Sequence, residues 1–371
     1  MAFHQAIQRL LLLGADLEPP EPQQAHPPAP PPRRLAPLIE AISTTHQRFN
    51  QRAVKFGNRY RSGFWAVYLL SAFAVLCAVL PLVLESPLGT SLLPAGDVTA
   101  TAAPVPRLQW RSPGTVSDLH ATVRMWAVAE VIIIGAVITL YGLGRRHDWQ
   151  GEWLRARAIA ELTGYLPLLS PLLDFDKPGG AANWYVRAFN PGQHLPDMDD
   201  VASMCARIEP LARELVLNAW SEPLFVSNYA RWTLDILDRQ RRYHRDIVKT
   251  QKALLQRIHA INVSLFGMTF LAAILQLALH TVWLSLAATF FPALGASLYG
   301  ALAQSEAYRL GTTSARLAED LEIAAKRIQA NATPSADTAA LKAEIEAALA
   351  LILEEYQDWS LLVRPQRLPI A

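Results

Sequence analysis

The 371-residue chain is 51% hydrophobic, has only 18% charged residues and carries a net charge of +2. Soluble domains average about 25% charged residues, so part of this chain is expected to lie in lipid. The small net charge gives no indication of a bulk nucleic-acid binder. Cys77 and Cys205 form neither a metal-ligand spacing nor a disulfide framework.

Residues 1–46 are predicted to be a tail that ends in the start of a helix. The apolar patch 10–13 lacks the basic beginning of a signal peptide and favours a short amphipathic helix. The proline-dense stretch 19–32 cannot pack a core and is expected to be a linker or disordered. A polar helix is predicted over 35–61.

Residues 47–146 are predicted to form a first transmembrane hairpin. The run 64–84 has no charged residue and is long enough for a span, and Pro81 near its far end kinks or stops it. The loop 86–123, rich in Pro, Gly, Ser and Thr, is expected to be exposed. A second span is predicted over 125–144.

Residues 147–257 are predicted to be a cytosolic helical domain. Helices are expected at 147–166, 198–219 and 226–257, and Pro167 and Pro171 are expected to end the first of them. We expect the helices 147–166 and 226–257 to continue straight into the neighbouring spans. The last carries an apolar stripe of Ile236, Tyr243, Ile247, Leu254 and Ile258, at spacings of 7, 4, 7 and 4.

Residues 258–305 contain no Asp, Glu, Lys or Arg. A soluble helix needs a polar face, so this run predicts a second transmembrane hairpin, with spans at 260–279 and 283–304 and a very short turn. A pair of helices buried in a large soluble core is the alternative. Residues 306–371 are predicted to be C-terminal cytosolic helices. Their stripes comprise Leu317, Leu321, Ala324 and Ile328, then Leu341, Ile345, Ala348 and Ile352.

The basic residues predict the orientation of the four spans. Clusters of Lys and Arg precede the first span, follow the second and precede the third. With four spans, all three clusters lie on one side of the membrane, which is predicted to be the cytoplasmic side. We therefore predict a multi-pass protein of the bacterial inner (plasma) membrane with both termini cytoplasmic. No strand pattern stands out, and the predicted fold class is all-α: four transmembrane helices as two hairpins, with a helical cytosolic domain between them.

No motif of enzyme chemistry occurs in the chain. It has no phosphate-binding glycine loop, no G-x-S-x-G, no H-E-x-x-H and no Cys or His pair at zinc spacing. We predict a protein that is not an enzyme, without catalytic residues, cofactor or metal.

Glu130 is the sharpest candidate for a functional residue, because a carboxylate within a span usually faces a bundle interior or a water-filled path. It could line or gate a pore; alternatively, it is hydrated at the interface or paired with Arg124. Gln276 could line a pore or form an interhelical hydrogen bond. In the fourth span, Pro292 could kink the helix at a gate. Gly295 and Gly300 are further candidates, although close helix packing alone explains both the proline and these small residues.

Residues beside the spans are candidates for coupling a signal to them. His244 could sense pH or a ligand, although a packed or surface histidine is the alternative. The candidate coupling residues are Trp149, Trp153, Glu161, Tyr243 and His244.

Five short stretches carry a resemblance that covers about 47–330. They are RYRSGFWAVYLLSAFAV, HDWQGEWLRARAIAEL, NWYVRAF, RQRRYHRDI and FFPALGASLYGALAQSEAYR. Their order and their placement against four spans resemble the membrane module of bacterial proteins with a nucleotide-sensing SLOG domain of the TRPM-like type. That module is similar to the SLATT class, the SMODS and SLOG-associating two-TM effector domains.

The resemblance implies a pore-forming effector that a nucleotide signal triggers, so that membrane damage limits phage spread. The stretch 1–63 is too short for a SLOG domain, so the implied sensor is a separate protein, has been lost or was replaced. The expected partners are the lipid bilayer, further copies of the chain in a homo-oligomer and a nucleotide-sensing protein.

Three functions remain open from the sequence. The first is a gated pore or membrane-disrupting effector in an anti-phage system. The second is a non-conducting membrane adaptor that docks a soluble sensor. The third is a small-solute transporter, which predicts broken spans at matching places in both hairpins.

Overall fold

The computed structural model describes residues 2–12, 29–85, 116–173, 198–279, 281–305, 307–332 and 337–362. Within these ranges every regular element is helical, which confirms the all-α prediction. The helices are α1 (Phe3–Leu11), α2 (Ala36–Glu85), α3 (Val116–Arg146), α4 (Trp149–Leu169), α5 (Met198–Val216), α6 (Pro223–Leu279), α7 (Val282–Gln304), α8 (Ala307–Asn331) and α9 (Thr338–Leu362). Single 3₁₀ turns occur at Arg33–Leu35, Ser170–Leu172 and Ala219–Ser221.

Several sequence predictions concern residues outside the described ranges. They include most of the proline-dense stretch, the NWYVRAF segment and residues 86–115 of the expected loop. Residues 116–122 of that loop belong to α3, which begins earlier than the span predicted from hydropathy.

Four helical segments are long and apolar enough to cross a membrane. They lie in α2, α3, α6 and α7, which are the places predicted from the charge-free runs. The expected short turn between the last two spans is also present, because α6 ends at Leu279 and α7 begins at Val282. These observations make the chain a membrane-protein candidate with four potential spans.

The chain divides into two compact units. The polar unit comprises Met1–Ser62, Gly144–Arg257 and Ser305–Ala371, and the apolar unit comprises Gly63–Leu143 and Ile258–Gln304. The divisions fall where charged segments meet the nearly charge-free runs. Residues 47–62, which the sequence analysis grouped with the first hairpin, belong to the polar unit.

The polar unit has a continuous hydrophobic core. The first half of α2 contributes Leu38, Ile42 and Phe49, whose spacings of four and seven place them on one helix face. The predicted stripes of α8 and α9 are buried in this core, which confirms them: Leu317, Leu321, Ala324, Ile328, Leu341, Ile345, Ala348 and Ile352. Full burial of each Leu or Ile contributes about 1.5–3 kcal/mol to folding, so the stripes hold these helices in the unit.

The predicted stripe of α6 is shifted by one residue near its middle. Tyr243 is 49% exposed, whereas His244 is only 5% exposed. The buried face comprises Leu237, His244, Leu254 and Ile258. His244 can replace an apolar residue there because a hydroxyl group hydrogen-bonds its ring, while Tyr243 keeps its polar end near the surface.

The expectation that helix 147–166 runs straight on from a span is wrong. α3 ends at Arg146 and α4 begins at Trp149, because Asp148 adopts a left-handed conformation with φ of 42°. Asp148 caps α4, and its Oδ1 accepts a hydrogen bond from the Gly151 N–H at 3.2 Å. In contrast, α2 and α6 are unbroken from polar-unit residues to apolar-unit residues.

The predicted helix end at Pro167 is also wrong, since α4 continues to Leu169. A proline so close to the end of a helix removes one backbone hydrogen bond and leaves little helix to distort. Leu166, Leu168 and Leu169 are buried in the core around it, and this packing holds the last turn in place.

Candidate functional site

Glu130 lies on α3 in the apolar unit and is half-buried. Its carboxylate interacts electrostatically with Cys77, a buried residue of α2. No described residue forms an ion pair with Glu130, so the pairing with Arg124 that the sequence left open is absent from the described part of the chain. The carboxylate therefore lacks a cationic partner among the described residues of its own chain.

The helix that carries Glu130 has little cover from the rest of the chain. None of the most apolar 18-residue stretch of α3 is buried inside the molecule. A Cβ added at Gly135 or Gly142 would meet nothing within 4 Å. Its large apolar side chains are exposed on several faces: Met125, Val128, Val131, Ile132, Ile134 and Ile138. Lipid or another copy of the chain is the environment that suits such a surface.

Gln276 joins the last two helices of the apolar unit. Its Nε2 donates a hydrogen bond to the Ser285 Oγ of α7 at 2.6 Å. This is the interhelical hydrogen bond that the sequence left as the alternative to a pore-lining role.

Gly295 lies on α7 and faces Asn262 of α6. A Cβ at this position would lie 2.5 Å from Oδ1 of Asn262, so only glycine fits without movement. Asn262 is 2% exposed, and its Nδ2 donates to the Ile258 carbonyl at 3.0 Å. Its Oδ1 has no hydrogen-bond partner among the described residues. The pair is a close contact between α6 and α7.

Gly300 has a comparable packing role against α2. A Cβ there would overlap the ring of Tyr68. Pro292 is half-buried inside α7, which continues on both sides of it. Packing therefore accounts for the two glycines, whereas no described contact accounts for Glu130.

Four of the five candidate coupling residues lie around one pair of arginines in the polar unit. Trp153 of α4 stacks on Tyr60 of α2 with ring centroids 5.7 Å apart. The guanidinium carbon of Arg61 lies 5.2 Å from the centre of the Trp153 ring, a cation–π distance. The helices approach closely at Gly57, where a Cβ would be 2.7 Å from Trp153 Nε1.

Arg157 lies one turn after Trp153 on α4 and is linked to two further candidates. Its Nη2 is 2.5 Å from Glu161 Oε1, and it interacts electrostatically with Tyr243 of α6. Burial alone would lower the pKa of Arg157, but Glu161 and Tyr243 outweigh burial and raise it. Tyr243 in turn packs edge-on against His244 at 5.2 Å.

Two buried histidines flank the arginines. His244 Nδ1 is 3.2 Å from the Ser314 Oγ of α8, and burial together with the charge of Arg157 lowers the pKa of His244 to about 4. His4 of α1 is 3.2 Å from the Ser62 Oγ, and burial together with Arg61 lowers its pKa to about 4. Both rings are therefore neutral at pH 7, so His244 does not titrate there as the sequence-based pH-sensor hypothesis would require.

Trp149 lies apart from this cluster. Its ring packs beside Gly144, where a Cβ would be 3.4 Å from Trp149 Cε3. The arrangement anchors the turn between α3 and α4.

The sequence analysis did not single out Arg61 and Arg157, which lie at the centre of the cluster. Both were counted only as part of the basic distribution. Arg157 follows Trp153 by four residues and precedes Glu161 by four, so helical spacing alone places the three on one face. Arg61 gives no such signal, because its contacts come from a helix almost 100 residues away in the chain.

No family model, curated protein or solved structure matches this chain. Among the described residues, no group of three or more His, Cys, Asp or Glu side chains could hold a metal ion.

Proposed function

We propose that this protein is a membrane effector that forms a gated pore, or otherwise disrupts the bacterial inner membrane, as a homo-oligomer. The observation that carries the proposal is Glu130 on α3. A charged side chain at the centre of a bilayer costs about 2.5–3.5 kcal/mol on insertion scales, and less where it faces water. A carboxylate without a described cationic partner, on a helix with little cover, is best accommodated beside a water-filled path.

Several copies of the chain are needed for such a path. Four spans rarely enclose a conducting pore alone, and acidic rings in cation channels arise when each subunit contributes one carboxylate. Contact between α3 helices of neighbouring copies would bring the Glu130 side chains together around water. The exposed apolar side chains of α3 support this arrangement, because they suit contact with a neighbouring helix as well as contact with lipid.

The proposed orientation has both termini in the cytoplasm and the loop predicted over 86–123 outside. The basic clusters next to the spans support it, since cytoplasmic flanks are enriched in Lys and Arg. The polar unit is then the cytosolic part. The two unbroken helices, α2 and α6, provide the route by which movement of that unit would tilt spans past Glu130 and Pro292.

The proposed trigger is a nucleotide signal in an anti-phage response, received through a separate sensing protein. This part of the proposal rests on the resemblance to SLATT-like effector modules. A non-conducting adaptor remains the principal competing function, and conductance separates the two.

A Glu130→Ala variant tests the role of the carboxylate. With protein reconstituted in liposomes, we expect cation leakage to fall several-fold and the preference for cations over anions to disappear, because the acidic ring is lost. Ile132→Ala, two residues away with a 65% exposed side chain, is the matched control and should leak like the native protein. Unchanged leakage in Glu130→Ala would remove this residue from the mechanism.

A further inference from the structure

The helix α1 is anchored on α2 by contacts between His4 and Ser62. Ser62 Oγ accepts a hydrogen bond from the His4 backbone N–H at 3.3 Å and lies 3.2 Å from His4 Nδ1. The first of these bonds satisfies an N–H group that the first turn of a helix leaves without an intrahelical partner. The His4 side chain is buried, so α1 packs against the rest of the polar unit through the face that carries this histidine.

This packing covers part of the apolar surface of α1 and leaves the rest exposed. Phe3, Ile7 and Leu10 share one helix face, because positions three, four and seven apart lie together. Ile7 is half-buried, whereas Phe3 is 45% exposed and Leu10 is 63% exposed. Gln5 and Arg9, four positions apart, are exposed on a different side. Phe3 and Leu10 therefore form an exposed apolar edge beside a polar strip.

The anchor lies where α2 loses its charged residues. Ser62 precedes Phe64, the first residue of the charge-free run, by two positions, which is about 3 Å along a helix. The beginning of a membrane span lies at the level of the lipid headgroups. Residues 2–12 contain the basic residue Arg9 and no acidic residue, and Arg59 and Arg61 precede the anchor on α2. This charge suits the anionic phospholipids of a cytoplasmic membrane surface.

We propose that α1 is a membrane-surface helix whose apolar edge, Phe3 and Leu10, inserts into the boundary between the headgroups and the acyl chains of anionic phospholipids. Helices of this kind bury their apolar face by about 5–10 Å at that boundary. Arg9 would remain among the phosphate groups. The inference rests on the crossing of the membrane by α2, as in the proposed function, but it does not depend on whether the protein conducts ions.

The anchor explains how so short a helix would bind lipid. An isolated helix of nine residues is marginal in water, so α1 alone would pay an ordering cost at the membrane. Contacts with Ser62 already order its first turn. They also hold α1 beside the start of a span, so that its insertion is an intramolecular event with a high effective concentration.

The experiment measures the environment of single positions of α1 in the full chain, reconstituted in nanodiscs of phosphatidylcholine and phosphatidylglycerol. Cys77→Ala and Cys205→Ser first remove the two native thiols. Phe3→Cys, Leu10→Cys or Gln5→Cys then introduces one cysteine for labelling with the fluorophore NBD. Gel filtration checks the fold of each variant. Protease protection verifies that the spans are inserted, so a failure of the spans is detected separately from a failure of α1.

The labels at positions 3 and 10 should emit at shorter wavelength than the label at position 5, because the apolar edge lies in lipid. A nitroxide near the headgroup end of the acyl chain should quench them several-fold more strongly than it quenches the label at position 5. Iodide in the aqueous phase should show the reverse order. Gln5→Cys is the matched control, because it carries the same dye on the exposed polar strip of the same helix.

Two results would overturn the proposal. Equal quenching of the three labels by iodide would show that the apolar edge lies in water. Protection of positions 3 and 10 from iodide without quenching by the lipid nitroxide would show that protein, such as a second copy of the chain, covers the edge. If Phe3→Cys disturbs the neighbouring His4 anchor, the label at position 10 decides the test by itself.

Discussion

Glu152 is held between two arginines that reach it from different parts of the chain. Its Oε2 is 2.5 Å from Nη2 of Arg52 on α2, and its Oε1 is 2.5 Å from Nη2 of Arg155 on α4. The contact with Arg155 follows from a spacing of three on a helix, and the sequence alone predicts it. The contact with Arg52 depends on how α2 packs on α4, which the spacing of residues does not encode. The contact of Arg61 with Trp153 was not predicted for the same reason.

This arrangement predicts a pH-dependent contribution to stability. Burial raises the pKa of Glu152, but the hydrogen bonds from Arg155 and Arg52 outweigh burial and hold the pKa below 4.5. A carboxyl with a depressed pKa in the folded protein stabilises the fold above its unfolded pKa, and the stabilisation is lost as pH falls through the folded pKa. We expect Glu152→Gln to lose about 1–2 kcal/mol at pH 7.

The measurement is the free energy of unfolding at a series of pH values. The gap between Glu152→Gln and the native chain should stay constant from pH 8 to about pH 5 and narrow at lower pH. Glu319→Gln, at an exposed position of α8, is the control and should differ little from the native chain at any pH. A gap that persists unchanged at pH 3 would show that the ion pairs are not its cause.

The two helices α6 and α7 illustrate which features of an element are predictable. The absence of charge over 258–305 predicted both helices and the turn between them, because a helix without a polar face must lie in an apolar environment. Which small residue meets which side chain depends on the rotation of each helix about its axis. The contact of Gly295 with Asn262 was therefore not predicted, although Gly295 was a candidate site residue.

A double-mutant cycle tests this contact. Gly295→Ala should destabilise the protein by about 1–3 kcal/mol, because the new methyl group overlaps Oδ1 of Asn262. In an Asn262→Ala background the same change should cost much less, since the overlapping atom is gone. The measurement is the free energy of unfolding in detergent micelles.

Gly267→Ala is the control for this cycle, because a Cβ at Gly267 meets nothing within 4 Å. It should be neutral or slightly stabilising, as alanine favours helix formation over glycine. If the effects of Gly295→Ala and Asn262→Ala simply add, the methyl group added at position 295 does not meet the Asn262 side chain as described.

The whole chain combines a well-packed polar unit with an apolar unit whose surface suits lipid. The α8 and α9 stripes, the four apolar helices and the short turn were predictable, because each follows from the periodicity or charge of one contiguous segment. The break between α3 and α4 at Asp148 was not predictable, because a single capping residue decides it and the flanking segments both favour helix. The arginine cluster was not predictable either, since it joins α2, α4 and α6.

Release of dye and ions from liposomes that contain the purified protein tests the proposed pore most directly. The protein is reconstituted, its insertion is verified by protease protection, and release is followed with and without a panel of nucleotides. We predict a basal release from protein-containing vesicles and none from empty ones, because a gated pore populates its open state to a small extent without its trigger. Release should depend on a nucleotide if a sensor lies within this chain. Inserted protein that releases neither dye nor ions under any of these conditions would contradict the pore and favour the non-conducting adaptor.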